Sequence, residues 1–228
     1  MNVAIIVAGG IGRRMGAARA KPFLELCGEP VVIHTLRAFE ACPAVDEIIL
    51  VVPESEQQGV MARLASSGLV KVTRVVVGGA ERQDSVWNGL QQIDRAATEL
   101  VIIHDGVRPL VTPDEITAVA EEARRSGAAI PALPATDTIK EVEGNRVIKT
   151  LDRHRLYLVQ TPQAFRAEII ISAHERARAE GRQATDDAAL VEQAGFPVSI
   201  VGGSRTNFKI TWPEDLVIAE YLLKRVRP

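Results

Sequence analysis

The chain has 228 residues, 46% hydrophobic and 25% charged, which excludes a disordered or fibrous protein and leaves room for a sizeable core. A formal net charge of -2 excludes attraction of the whole molecule to nucleic acid or to an anionic membrane, so any cationic chemistry must be local. Two cysteines, Cys27 and Cys42, make neither a disulfide framework nor a metal-ligand spacing; they fit reduced, partly buried thiols in a cytoplasmic protein.

The first apolar run, "NVAIIVA" (2–8), has no basic leader and is far shorter than the ~20 residues of a membrane span, so it reads as a strand. It feeds "GGIGRRMG", where Gly9, Gly10, Gly12 and Gly16 let backbone N–H groups approach phosphate oxygens. Arg13, Arg14 and Lys21 follow within a few residues. A resting pyrophosphate does not need so many cations. A triphosphate cleaved at its α-phosphorus does, because the transition state and the leaving pyrophosphate both gather negative charge. A Walker-type loop is excluded, since G-x-x-x-x-G-K-S/T is absent.

Further strands are expected at 47–53, 70–77, 99–105, 127–133 and 196–203, each an apolar run bounded by Gly, Pro or polar residues. Helical patterns fall between them at 30–42, 54–68, 82–93 and 112–127, the last with Thr112 as N-cap and Gly127 as C-cap. This alternation predicts right-handed βαβ crossovers and a mainly parallel sheet with helices on both faces. After Pro134 the rhythm breaks: "ATDTIKEVEGNRVIKTLDR" predicts a β-hairpin that projects from the sheet. Helical patterns resume at 166–181, 185–195 and 212–227. With no repeat or linker, residues 1–228 form one domain, with 135–158 as its excursion.

Two more clusters sit where an open α/β sheet places its ligand. "HDGVRPL" ends the fourth strand; Asp105 could hold Mg²⁺ or accept from a ribose hydroxyl, and Arg108 could grip a phosphate, the alternative being a structural Asp–Arg pair. "GGAERQDSV" offers Gly78 and Gly79 ahead of a helix with Arg82 and Ser85 in its first turns, either to read a base edge or simply to start the helix. Lys209 beside Asn207 stands at a strand-to-helix junction. His104 reads as a strand-end residue, and His34, His154 and His174 have no partner at nucleophile or metal spacing.

Taken together, "AGGIGRRMG…KPFLEL", "GGAERQDSV", "HDGVRPL", "TDTIK", "LDR", "QTPQAF", "TDDAALVEQAG" and "NFKITWPEDL" resemble, in order and spacing, the 2-C-methyl-D-erythritol 4-phosphate cytidylyltransferase family of the non-mevalonate isoprenoid pathway. The resemblance covers the whole chain. It implies a Rossmann-like nucleotidyltransferase fold, and a homodimer in which the β-arm embraces the partner. It implies that Arg14 and Lys21 stabilise the pentavalent α-phosphorus, that Ala8, Gly9, Gly10 and Gly12 contact CTP, and that Gly79 and Ser85 read the cytosine. Asp105 and Gly106 would lie against ribose and acceptor. Arg108, Thr138, Arg153, Thr161 and Lys209 would hold methylerythritol phosphate, with Thr138, Arg153 and Arg108 supplied across the dimer. Mg²⁺ shared by the triphosphate oxygens would assist.

Ala8-Gly9-Gly10 stands where Ala-Ala-Gly is usual, and Ala20-Lys21-Pro22 where Pro-Lys-Gln is usual. Val107 replaces a common alanine, as in related ribitol phosphate cytidylyltransferases, which keeps ribitol 5-phosphate as an alternative acceptor. A different class, an NAD(P)-binding oxidoreductase, would use the G-x-G turn with Glu54 on the ribose, but it leaves the cationic cluster unexplained. A catalytically silent nucleotide-binding scaffold has no reason to keep Arg14 and Lys21.

Overall fold

The computed structural model describes residues 1–9 and 20–226. Gly10, Gly12, Arg13 and Arg14 lie outside the described residues.

Every residue of β1 (Asn2–Val7) is buried, as an apolar run covered on both faces requires. The short strands β2 (Glu25–Leu26) and β3 (Glu29–Pro30) make a small hairpin ahead of α1 (Val31–Ala41). There follow β4 (Glu47–Val52), α2 (Glu54–Leu64), β5 (Val72–Val77), α3 (Arg82–Leu90), β6 (Leu100–Asp105), α4 (Pro113–Ser126) and β7 (Ala128–Pro134). Thr112 and Gly127 cap α4 as expected, Thr112 Oγ1 accepting from Glu115 N and Gly127 turning at φ 94°.

The parallel strands run β6, β1, β4, β5 across the sheet. From β1 the chain winds one way to β4 and β5, then crosses back to place β6 on the other side of β1. That reversal opens a crevice between the C-terminal ends of β1 and β6, where doubly wound folds bind ligands. Alternate residues face opposite layers. Ala4, Ile6, Ile48, Leu50, Leu100 and Ile102 pack with α1 and α4; Val3, Ile5, Ile49, Val51, Val101 and Ile103 pack with α3, α5 (Ala167–Ala179) and α6 (Asp187–Gln193).

The expected hairpin is present as β8 (Lys140–Glu143) and β9 (Arg146–Thr150), with every residue exposed. The sequence reading missed the next element. β10 (Tyr157–Val159) and β11 (Gln163–Arg166) both run antiparallel to β7, and β11 fills the gap between β7 and β6. Val159 faces Ala132 while Ala164 faces Ala129, so five steps on one strand match three on the other. The surplus of two bulges Thr161 and Pro162 out of the ladder beside the end of β6, while Gln160 N still donates to Pro131 O at 2.9 Å. β12 (Ser199–Gly202) lies parallel to β7, and α7 (Pro213–Val226) covers a third apolar cluster with Leu26, Val107 and Ile210. The two thiols differ from expectation: Cys42 is buried, but Cys27 is exposed in a turn.

Candidate active site

Parallel pairing aligns the C-terminal ends of β1, β4, β5 and β6, so Gly9, Gly78, Gly79 and Gly106 share one edge of the sheet. Ser85 ties this edge together. Its hydroxyl accepts from Gly79 N at 3.1 Å and donates to Glu81 O at 3.1 Å, and a Cβ on Gly9 or Gly78 would come within 3.2 or 2.9 Å of that oxygen. A Cβ on Gly79 would meet the Asp84 Cβ at 2.3 Å, and one on Gly106 would meet Ala8 Cβ and Val7 O, each at 3.2 Å. A side chain at Gly79 would force Asp84 to move and one at Gly106 would be tight, so glycine at both leaves backbone rather than side chains to face a ligand.

A crevice of about 250 Å³ opens beside this edge, lined by Arg82, Asp105, Arg108, Thr161, Asp186 and Lys209 among others. Asp105 is its electrostatic centre. Oδ1 accepts from Arg82 Nε at 3.0 Å, Oδ2 accepts from Lys209 Nζ at 2.8 Å, and Arg108 Nε stands 3.8 Å from Oδ2. Burial alone would raise the Asp105 carboxyl, but Arg82, Lys209 and Arg108 outweigh it and hold it well below the usual carboxylate range. Arg82 also donates through Nη1 to Asp187 Oδ2 at 2.7 Å. Burial would depress its guanidinium, yet Asp187 and Asp105 raise it further. Arg82, Arg108 and Lys209 thus face Asp105 and Asp187, and with Asp186 also in the lining the fixed charges of the crevice balance. A larger cavity of about 420 Å³ lies between the start of α3 and residues 177–185; it shares only Arg82 and Thr185 with the crevice. Asp105 and Lys209 line the smaller one.

The bulge explains how Asp105 is aimed. Asp105 N donates to Thr161 Oγ1 at 3.0 Å, and the same oxygen lies 3.0 Å from His104 Nδ1. His104 Nε2 is 3.3 Å from Arg108 O, which can only accept, so Nε2 carries the proton and Thr161 donates to Nδ1. Burial pushes the imidazole down to about 3, which keeps it neutral. Asn207 completes the frame: Nδ2 donates to Thr161 O, while its own carbonyl accepts from Arg108 Nη1 at 2.7 Å and Gln160 Nε2 at 3.1 Å.

Sequence reasoning therefore brought together Ala8, Gly9, Gly79, Ser85, Asp105, Gly106, Arg108, Thr161 and Lys209 around one edge. Lys21 joins it from a short 3-10 turn, its Nζ donating at 3.1 Å to Thr211 O, two residues beyond Lys209. Two expectations change. Arg108 does not reach toward a partner: it is 8% exposed and anchored to this chain's own Asn207. The Thr161 hydroxyl, 5% exposed, donates to His104 and accepts from Asp105 N, so within this chain it positions those two residues and keeps one lone pair, as Ser85 does. Thr138 and Arg153 lie at the exposed root of the hairpin, Arg153 Nη1 donating to Thr136 O, and do not line this crevice. Arg82, Gln160, Asp187 and Asn207 were not assigned from sequence.

Among the described residues no group of three or more His, Cys, Asp or Glu side chains could hold a metal alone. Mg²⁺ commonly sits on one carboxylate plus substrate phosphates, and Asp105 fits that donor set provided Lys209 yields Oδ2. No helix among them is long and apolar enough to cross a membrane.

Residues 2–225 match the family described as 2-C-methyl-D-erythritol 4-phosphate cytidylyltransferase (IspD). The enzyme of that name from Syntrophus aciditrophicus (strain SB) is 49% identical over 225 residues, covering 98% of this chain and 96% of its own. A solved structure of 4-diphosphocytidyl-2C-methyl-D-erythritol synthase from Anaerococcus prevotii superposes with a TM-score of 0.85 at 32% identity, over 98% of this chain and 96% of the other. The 2-C-methyl-D-erythritol 4-phosphate cytidylyltransferase of Thermus thermophilus gives 0.79 at 36% identity, over 96% and 98%.

Proposed function

The chain belongs to the 2-C-methyl-D-erythritol 4-phosphate cytidylyltransferase family, and from that premise we propose how its residues move CMP from CTP to 2-C-methyl-D-erythritol 4-phosphate. The products are 4-diphosphocytidyl-2-C-methyl-D-erythritol and pyrophosphate. The oxidoreductase and scaffold readings fall with the family match, which also favours methylerythritol phosphate over the alternative acceptor, ribitol 5-phosphate.

An oxygen of the acceptor phosphate, already an anion at neutral pH, attacks the α-phosphorus in line. As that P–O bond forms, the bond from the α-phosphorus to the bridging oxygen of the β-phosphate breaks, and pyrophosphate leaves with the electron pair. No protein nucleophile is required; the barrier is repulsion between two anions and their alignment. Lys21, with Arg14, meets the charge on the equatorial oxygens. Backbone groups of Ala8, Gly9, Gly10 and Gly12 hold the triphosphate, and Asp105 with Gly106 lies against the ribose. Ser85 has given its proton to Glu81 O and one lone pair to Gly79 N; the lone pair that remains accepts from the 4-amino group of cytosine, which uracil lacks. Lys209 and Arg108 attract the acceptor phosphate. Mg²⁺ bound to Asp105 and the triphosphate would neutralise charge at the α-phosphorus and ease the departure of pyrophosphate.

Homodimerisation through residues 135–158 brings Thr138 and Arg153 to the partner's crevice. The exposed apolar side chains Val142, Val147 and Ile148 on the hairpin, and Tyr157 and Leu158 beside it, support this reading, because a lone hairpin so exposed is poorly stable unless it packs against something. The unpaired thiols fit a cytoplasmic setting. The observation that carries the function is Asp105 held among three cations at the β1–β6 reversal. Pyrophosphate release from CTP, followed separately with methylerythritol phosphate and ribitol 5-phosphate, tests it: faster turnover with ribitol phosphate would overturn the acceptor.

A further inference from the structure

Two buried residues without an assigned role stand behind the Arg82–Asp105 pair. Asp187 opens α6, 1% exposed, and its carboxylate divides between two partners: Oδ2 accepts from Arg82 Nη1 at 2.7 Å, and Oδ1 lies 3.1 Å from His174 Nε2. His174, on α5, is fully buried and stacks on Trp87 at 6.3 Å. Arg82 spans the gap, its Nε on Asp105 Oδ1 and its Nη1 on Asp187 Oδ2.

We propose that Asp187 is a positioning residue for cytidylyl transfer: it clamps the Arg82 guanidinium so that Nε holds Asp105 Oδ1 and leaves Oδ2 turned toward Lys209 and the ligands. The planar guanidinium fixes the angle between its two carboxylate partners, which an ammonium group cannot do. If Asp187 no longer held Nη1, Arg82 would be free to swing both of its edges onto Asp105 and claim Oδ2 as well. Asp105 would then stay charged but point the wrong way, and small misplacements of an aligning group are costly in rate. His174 has the complementary task of keeping Oδ1 of Asp187 occupied, so that only Oδ2 is offered to Arg82.

This inference rests on the reading that Asp105 faces the reacting ligands, and Asp105→Asn is therefore measured alongside. The test is a double-mutant cycle on kcat/KM for methylerythritol phosphate at saturating CTP, using Asp187→Asn, Arg82→Lys and the pair, with urea midpoints recorded in parallel. We expect Asp187→Asn to lower kcat/KM roughly 10- to 100-fold. We expect the pair to be no worse than Arg82→Lys, because Asp187 acts only through Arg82. A merely structural Asp187 would move the urea midpoint and give losses that multiply; that result, or an unchanged kcat/KM in Asp187→Asn, overturns the inference. Should Asp187→Asn fail to fold, Asp187→Glu keeps the charge and displaces the carboxylate by one methylene; a loss that again disappears in the Arg82→Lys background supports the clamp, and full activity overturns it. Loss in Asp105→Asn with Asp187 variants fully active sinks the clamp alone, whereas full activity in Asp105→Asn sinks the reading of the site beneath it.

Discussion

Lys209 Nζ lies 2.8 Å from Asp105 Oδ2, joining two residues 104 positions apart in the chain. The pair puts a cation from the junction before α7 onto the end of β6, beside the glycine edge. Lys21 Nζ reaches the same junction through Thr211 O, so the short 3-10 turn at Lys21, the central strand and the segment leading into the last helix meet at one place.

Lys21→Ala should lower kcat roughly 100- to 1,000-fold with little change in CTP affinity, because a contact made mainly in the transition state acts on the rate constant. Steady-state kinetics with separate CTP binding measures this. An unchanged kcat would remove Lys21 from the chemistry.

Arg153→Ala should raise KM for the polyol phosphate. Mixed with Lys21→Ala subunits it should recover part of the activity, since some dimers would then carry one site with both residues intact. Failure to recover would mean that each site is built within one subunit.

Gly79→Ala would set a Cβ 2.3 Å from the Asp84 Cβ, and Asp84 helps start α3 through its bond from Glu81 N. The clash should cost about 1–3 kcal/mol and weaken CTP binding, read by urea unfolding and nucleotide titration. Full stability together with wild-type affinity would contradict the packing argument.

His104 is buried and neutral, pushed from 6.5 down to about 3. Between those values the unfolded chain binds a proton that the folded one refuses, so this contribution to stability is intact above about 6.5 and is lost as pH falls toward 3. The slope is about 1.4 kcal/mol per pH unit. Asp105 and Asp187, both lowered, add their own loss only at more acid pH, below the ordinary carboxylate range. Urea unfolding at pH 7 and pH 5 should show a smaller drop for His104→Asn than for the wild type. Equal drops would mean that His104 is not held neutral.

The strands that build the crevice were legible because their apolar runs are long and their bounding glycines sit where parallel pairing aligns them. β10 and β11 were not. Each is only three or four residues long, and the bulge at Thr161 and Pro162 breaks the alternation that marks a strand. In the site, Asp105, Arg108 and Lys209 stood out as charges at strand ends. Arg82 was visible as a residue of the first helical turn, but its partner Asp187 is 105 residues away, and no local pattern reports a pairing of that span. Thr161 illustrates the converse: the position was named, but only the His104 geometry shows where its proton goes.

A structure of the protein with CTP, Mg²⁺ and methylerythritol phosphate measures the arrangement most directly. The α-phosphate should lie against Lys21 at the mouth of β1, with the acceptor phosphate near Lys209 and Arg108. Nucleotide bound instead in the larger cavity beside residues 177–185, its phosphates remote from Lys21 and Asp105, would contradict it.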